Sequence, residues 1–370
     1  MKTKINLKAL SDEEITRLME KLGQKPYRAG QIIKWIYKNL ASSIDDMSNL
    51  SNALREELND IAYISGLKLL KKQSSKDGSQ KFLFGLEDGE SIECVSIPDN
   101  DRLTLCISSQ VGCAMGCRFC NTGMQGFKRN LKAYEITDQI LSVMRLIVNE
   151  DRNKPEKDRR KVTNIVLMGM GEPLENADEV ISALHTINGN IGISKRRITL
   201  STAGVIPGIK LLAKKGPNVN LAISLNAATD RIRSMIMPIN RKYPLKDLIS
   251  QCREFPLTPG RSITFEYILL DGINDSEDDA IKLPKLLRGL KCKINLIPYN
   301  EVILKGRKPN NLRRTPDEKT LRFLKVLEDS GVKTIIRKSK GSDISAACGQ
   351  LKSERTHKKG VEDSSVQGFE

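Results

Sequence analysis

Three of the eight cysteines in this 370-residue chain fall within eight residues, in Cys113-Ala114-Met115-Gly116-Cys117-Arg118-Phe119-Cys120. The spacing is C-x3-C-x2-C. Thiolates are soft ligands suited to zinc and to iron–sulfur clusters. A structural zinc site takes four protein ligands, commonly as two pairs. No second pair follows here, and His185 and His357 stand isolated and distant. Three thiolates on one tight loop can instead hold one iron each of a cubane 4Fe-4S cluster. The fourth iron then lacks a protein ligand. An open iron binds something else, and it makes the cluster a reagent as well as an electron carrier.

The elements that must position this loop read as a regular alternation. Strands are expected at 91–97 and 102–108, with the cysteine loop directly after the second. Loops at the C-terminal ends of strands are where parallel α/β barrels keep their active sites. Further strands are expected at 164–168, 197–201, 220–225, 262–269, 293–297 and 332–337. Helices are expected between them at 134–149, 176–188, 206–215, 244–254, 276–289 and 316–330. Such alternation requires a parallel sheet. The region is too short for eight full units with these loops, so the fold class expected is α/β, a partial (β/α) barrel.

Each strand end carries residues suited to a small polar cofactor. Gly169 and Gly171 allow close backbone approach, and Glu172 can accept from an ammonium group. Ser201, Ser224, Asn226 and Asn300 offer neutral hydrogen bonds at later strand ends. Taken singly, each reads as a helix cap or turn residue. Their recurrence at one end of a parallel array is what points to a site.

Ahead of the barrel, residues 1–90 read as a small helical accessory domain. Ser11-Asp12-Glu13-Glu14 is a capping box that opens a helix ending near Gly23. A second helix follows Lys25-Pro26, with Ile32, Ile36 and Leu40 on one face and Trp35 beside Lys34 and Lys38. A third runs over 51–60 with Leu54 and Leu58 inward. This basic unit either grips RNA phosphate or simply packs on the barrel. Residues 81–90 read as a hairpin with its turn at Asp88-Gly89. Residues 91–350 form the catalytic domain, and 351–370 are a polar tail expected to be mobile.

Lysine and arginine outnumber acids by 61 to 45, a net charge of +16. An excess of that size attracts polyanions, nucleic acid first among them. Only 4% of residues are aromatic, so single-strand stacking platforms are not an obvious feature. No apolar run has transmembrane length, and the basic start lacks an apolar core of signal-peptide length. A cytoplasmic protein is expected, where a reducing environment suits cysteines used as cluster ligands or reactive thiols.

The cysteine spacing resembles the signature of the radical S-adenosylmethionine (SAM) superfamily. From about Tyr27 to Leu351 the sequence resembles one family within it, the RlmN adenine-C2 methyltransferases of ribosomal RNA. The marks are the segments Leu105–Cys113, Gly126-Phe127-Lys128-Arg129-Asn130-Leu131, Gly169–Asn176, Ser201–Gly204, Ser224-Leu225-Asn226, Ile297–Asn300 and Ala346–Leu351. The resemblance implies a 4Fe-4S cluster on Cys113, Cys117 and Cys120, with SAM on the open iron. It implies SAM contacts from Gly171, Glu172, Ser201, Ser224, Leu225, Asn226 and Asn300. Asn226 stands where many relatives have histidine; asparagine still donates and accepts.

The resemblance also assigns the chemistry. Adenine carbon 2 is electron-poor and cannot attack the methyl of SAM, whereas a carbon radical can add to it. Cys348 would carry a methyl group that becomes that radical, Glu93 would be the base that removes the carbon 2 proton, and Cys106 would be the resolving thiol, ending disulfide-linked to Cys348. Read without the family, Cys106 is a buried strand cysteine; Cys94, Cys252 and Cys292 read as core cysteines. The resemblance further implies 23S ribosomal RNA and transfer RNA as substrates, an electron donor such as flavodoxin or ferredoxin, a monomer, and no membrane partner. Segments 126–131 and 348–351 favour the carbon 2 enzyme over a sister that methylates carbon 8.

Overall fold

The computed structural model describes residues 4–301 and 311–352. Apart from Leu351 and Lys352, the expected tail lies outside the described residues.

A ten-stranded sheet carries the molecule. From Arg102–Cys106 it runs outward through Asn164–Leu167, Ile198–Thr202, Asn220–Ser224, Ile263–Leu269 and Cys292–Pro298 to Thr334–Ile336, every neighbouring pair parallel. Helices fill the crossovers, beginning with Ala133–Asp151. These strands are short apolar runs because parallel strands are covered on both faces. Ile165, Leu200, Leu221, Ile223, Phe265 and Ile294 are all buried. The sheet does not close, since its two edges are different strands; it is the expected partial barrel.

On the other side of Arg102–Cys106 three antiparallel strands extend the sheet: Ser91–Asp99, Gln80–Gly85 and Lys68–Ser74. The turn at Asp88-Gly89 joins two of them as expected, with Gly89 at φ +84°. Residues 68–85, grouped by sequence with the leading 1–90 segment, thus pair into the catalytic sheet. Lys68, Lys71 and Lys72 lie on the outermost strand, where charge discourages pairing with another chain.

The helical unit consists of Asp12–Lys21, Tyr27–Tyr37 and Asn52–Ile61. The capping box forms, with Glu14 N donating to Ser11 Oγ (3.2 Å) and Ser11 N to Glu14 Oε2 (2.8 Å). A cap of this kind stabilises its helix by about 1 kcal/mol. Ile32, Ile36, Leu54 and Leu58 join the same apolar core as Leu105 and Ile165. Leu40 departs from expectation. The helix ends at Tyr37, and Leu40 has left-handed backbone (φ +58°) with its carbonyl accepting from Arg145 Nε at 2.8 Å. An ion pair between Lys8 and Asp138, both buried, ties the unit to helix Ala133–Asp151. Lys38 reaches across to the Ile191 carbonyl at 2.9 Å.

Candidate active site

Strand Arg102–Cys106 delivers the chain to Gln110–Gly112, which pairs antiparallel with Phe127–Asn130. Residues 113–126 are therefore a loop pinched at its base, where Cys113 N donates to the Gly126 carbonyl at 2.9 Å. Gly112, at φ +75°, is obligatory there: a Cβ would stand 2.0 Å from that carbonyl oxygen. The short helix Asn121–Gln125 starts directly after Cys120. Arg118 N donates to the Ile236 carbonyl at 3.0 Å, fixing the loop's outer arm.

Cys113, Cys117 and Cys120 line one cavity of about 150 Å³. Gly169, Gly171, Glu172, Ser201, Ser224 and Asn226, all from strand ends, line it too. Burial pushes the Cys113 thiol up to about 12 and raises Cys117 and Cys120 as well. Such thiols ionise only against a bound cation. Among the described residues no three His, Cys, Asp or Glu side chains are close enough to share a single ion. Three thiols lining one cavity suit a cubane, which can take one thiolate per iron. The donor set and the cavity therefore fit an iron–sulfur cluster on these three cysteines.

The polar residues divide. Gly171 has φ +101°, and a Cβ there would stand 2.5 Å from Gln110 Cβ, so glycine lets this turn lie against the loop strand. Glu172 is buried, and desolvation pushes its carboxyl up to about 7. Its Oε2 accepts from Ala203 N (2.7 Å) and its Oε1 from Leu174 N (3.0 Å). Thr202 also hydrogen-bonds this carboxyl, and with about four lone-pair sites on its two oxygens it can still accept from a ligand's ammonium. Asn226 lines the cavity in left-handed backbone (φ +58°), which asparagine tolerates. Its Oδ1 accepts from Ile268 N at 2.8 Å, so it also stitches neighbouring strands. Two expected contacts lie elsewhere. Leu225 is fully buried outside the cavity lining, with its amide on the Glu266 carbonyl (3.0 Å) and its own carbonyl taken by Arg233 Nε (3.0 Å). Asn300 lines the adjoining cavity, 3.5 Å from the Cys348 carbonyl.

That second, smaller cavity, about 60 Å³, is lined by Cys106, Ile97, Asn300 and Cys348. Cys348, Arg337, Met168 and Ile297 border both cavities. Burial, then the nearby Cys348, pushes the Cys106 thiol up to about 12, while Arg337 pulls the other way. Cys106 and Cys348 are free thiols. Glu93 is 3% exposed and shares a sheet face with Cys106 through the pairing of Val95 with Cys106. It lines neither cavity. Its Oε1 is ion-paired with Lys81 Nζ at 3.0 Å, and its Oε2 accepts from Lys352 N at 2.9 Å. Cys94 faces away and is fully buried, as is Cys252, whereas Cys292 is only half-buried at the start of its strand.

Sequence reasoning missed Arg337 and Glu266. Glu266 lines the larger cavity with Oε2 buried and without a hydrogen-bond partner, 4.0 Å from Arg337 Nη1. Arg337 follows the last strand, so the strand-end rule that found Ser201 and Ser224 applies to it. Glu266 sits inside a strand, where alternation gives no such signal.

Residues 5–64 match the family model of the ribosomal RNA large subunit methyltransferase N-terminal domain, and residues 107–283 match the radical SAM superfamily. A dual-specificity RNA methyltransferase RlmN of Pelobacter propionicus is 49% identical over 354 residues, 95% of this chain and 97% of that protein. The protein of that name from Geobacter sulfurreducens is 48% identical over 354 residues, covering 95% and 93% of the two chains. A radical SAM methyltransferase from Sphaerobacter thermophilus superposes with a TM-score of 0.85 at 40% identity, over 94% of this chain and 99% of that one. With both domain models matched in order and near-half identity along almost the whole length, the chain belongs to the RlmN family of radical SAM RNA methyltransferases.

Proposed function

We propose that the enzyme methylates carbon 2 of adenosine in 23S ribosomal RNA, near the peptidyl-transferase centre, and in transfer RNA beside the anticodon. The observation that carries this reading is the place of Cys348, which borders both the three-thiol cavity and the Cys106 cavity. A methyl carrier must meet the radical source on one side and a resolving thiol on the other.

Cys113, Cys117 and Cys120 would hold the 4Fe-4S cluster. Gly171, Glu172, Ser201, Ser224 and Asn226 would hold SAM against it, with Glu172 on the ammonium group. Leu225 and Asn300 remain assigned by the family pattern alone. When bound, the cluster would supply one-electron chemistry, reductive cleavage of a SAM and uptake of the electron that the RNA adduct must lose. A flavodoxin- or ferredoxin-like donor in the cytoplasm would reduce it.

The chain's own residues do the rest. Cys348, as thiolate, attacks the methyl carbon of a first SAM; the sulfonium–methyl bond breaks and S-adenosylhomocysteine leaves. After a hydrogen atom passes from that S-methyl group to the 5′-carbon of the second, cleaved SAM, giving 5′-deoxyadenosine, the methylene carbon bonds to carbon 2, joining RNA and protein through the Cys348 sulfur. Glu93 takes the carbon 2 proton. The Cys106 sulfur then attacks the Cys348 sulfur. The sulfur–carbon bond breaks, its electron pair stays on the methylene carbon, and protonation leaves a methyl group on the base and a disulfide between the two cysteines.

Nucleoside mass spectrometry of ribosomal and transfer RNA incubated with anaerobically reconstituted enzyme, SAM and a reductant tests this. 2-Methyladenosine is expected. 8-Methyladenosine, or no product from brown, iron- and sulfide-loaded protein, overturns it.

A further inference from the structure

We infer that Lys81 is a positioning residue for the reaction: it keeps the Glu93 carboxylate ionised and binds it to the loop that carries Cys348. This rests on the reading of Glu93 as the base.

Lys81 lies on strand Gln80–Gly85 opposite Val95, and Val95 lies opposite Cys106. Cross-strand partners, and residues two apart on one strand, project to the same face. Lys81, Glu93 and Cys106 therefore share one face. Lys81 Nζ is 3.0 Å from Glu93 Oε1, and the two side chains are only 6% and 4% exposed. The same ammonium donates to the Ser345 carbonyl at 3.2 Å. Glu93 Oε2 accepts from the Lys352 amide at 2.9 Å. Ser345 and Lys352 stand on either side of Cys348 in the chain. Base and carrier loop thus meet through one buried cation and one amide. The hairpin holds the loop further back as well, since Gly341 N donates to Asp77 Oδ2 (2.8 Å) and Ser75 Oγ to Asp343 Oδ1 (2.6 Å).

A base must be anionic when the proton leaves carbon 2. Burial at this depth drives a carboxylate toward its neutral form, and an adjacent cation opposes that. Among the groups that meet the Glu93 carboxylate are the Lys81 ammonium from the neighbouring strand and the Lys352 amide from the loop. Lys81 brings a positive charge to 3.0 Å from Glu93 Oε1. Without it, Glu93 is protonated at a higher pH, and the acid limb of the adduct-release profile moves up.

The test compares full-length, cluster-loaded Lys81→Met, Lys81→Arg and Glu93→Gln enzyme with the parent, acting on RNA from pH 6 to 9. It reads S-methyl Cys348, covalent RNA on the Cys348 peptide, and methylated adenosine. Lys81→Met is expected to methylate Cys348 normally. At pH 7 it should accumulate the RNA adduct and release product at least tenfold more slowly, with the deficit shrinking toward pH 9. Lys81→Arg should restore release. If Lys81→Met does not fold, Lys81→Gln carries the same expectation. An unchanged pH profile, or an equal loss at every pH without adduct, overturns the inference. Normal product release by Glu93→Gln would instead overturn the base assignment itself.

Discussion

Asn121 donates its backbone amide to the carbonyl of Gly349 at 2.7 Å. The next two carbonyls are taken likewise, Gln350 by Asn121 Nδ2 (3.1 Å) and Leu351 by Thr122 Oγ1 (2.7 Å). The loop bearing Cys348 is thus laced to the start of the helix that follows Cys120. Replacing Thr122 by valine keeps the shape and leaves the buried Leu351 carbonyl without this donor. A loss of about 1–3 kcal/mol is expected in chemical denaturation. Turnover should fall with it.

Cys113→Ala removes one of three thiols at the pinched base of the loop. Iron and sulfide content should drop, and 5′-deoxyadenosine formation and RNA methylation should both vanish. A variant with parental turnover would refute the cluster assignment.

Cys106→Ala leaves Cys348 able to take a methyl group and to join RNA, with no thiol in the second cavity to attack its sulfur. A covalent RNA–protein species should survive denaturation and appear, after RNase digestion, as added mass on the Cys348 peptide. Cys348→Ala should give neither adduct nor product. If Cys106 only packs, Cys106→Ala would cost about 1–3 kcal/mol of stability and trap nothing.

Gly171→Ala forces a Cβ to 2.5 Å from Gln110 Cβ and 2.8 Å from Gln110 N, at a φ of +101° that side chains rarely adopt. The Gln110 backbone nitrogen cannot swing aside as a side-chain end can. A cost of about 1–3 kcal/mol is expected, together with weaker SAM binding by equilibrium dialysis.

Lys8 and Asp138 form an ion pair with side chains 0% and 2% exposed. Burial lowers Lys8 and raises Asp138, each against the pull of the other. Lys8→Met leaves a buried carboxyl without its cation and should destabilise by about 3–5 kcal/mol. The double variant Lys8→Met with Asp138→Leu should recover most of that in the same denaturant titration.

Sequence alone determined what depends on near neighbours. The C-x3-C-x2-C spacing put three thiols on one loop, Ser11 and Glu14 set a helix start, Asp88-Gly89 set a turn, and apolar runs alternating with helical periods set a parallel sheet. Strand order then put Gly171, Ser201 and Ser224 at one end, because crossovers in such sheets return every strand in the same direction. Only the tertiary structure decided what depends on distant partners. Residues 68–74 joined the catalytic sheet along the edge that Gln80–Gly85 offered, a pairing that the sequence reading did not contain. Leu40 lies beyond the helix end, and its carbonyl is taken by Arg145 of another helix. Glu93 met Lys81, and Cys348 came between two cavities, because buried charge and thiol chemistry are set by which surfaces pack together. Periodicity reports the face a residue is on; it carries no information about what that face meets.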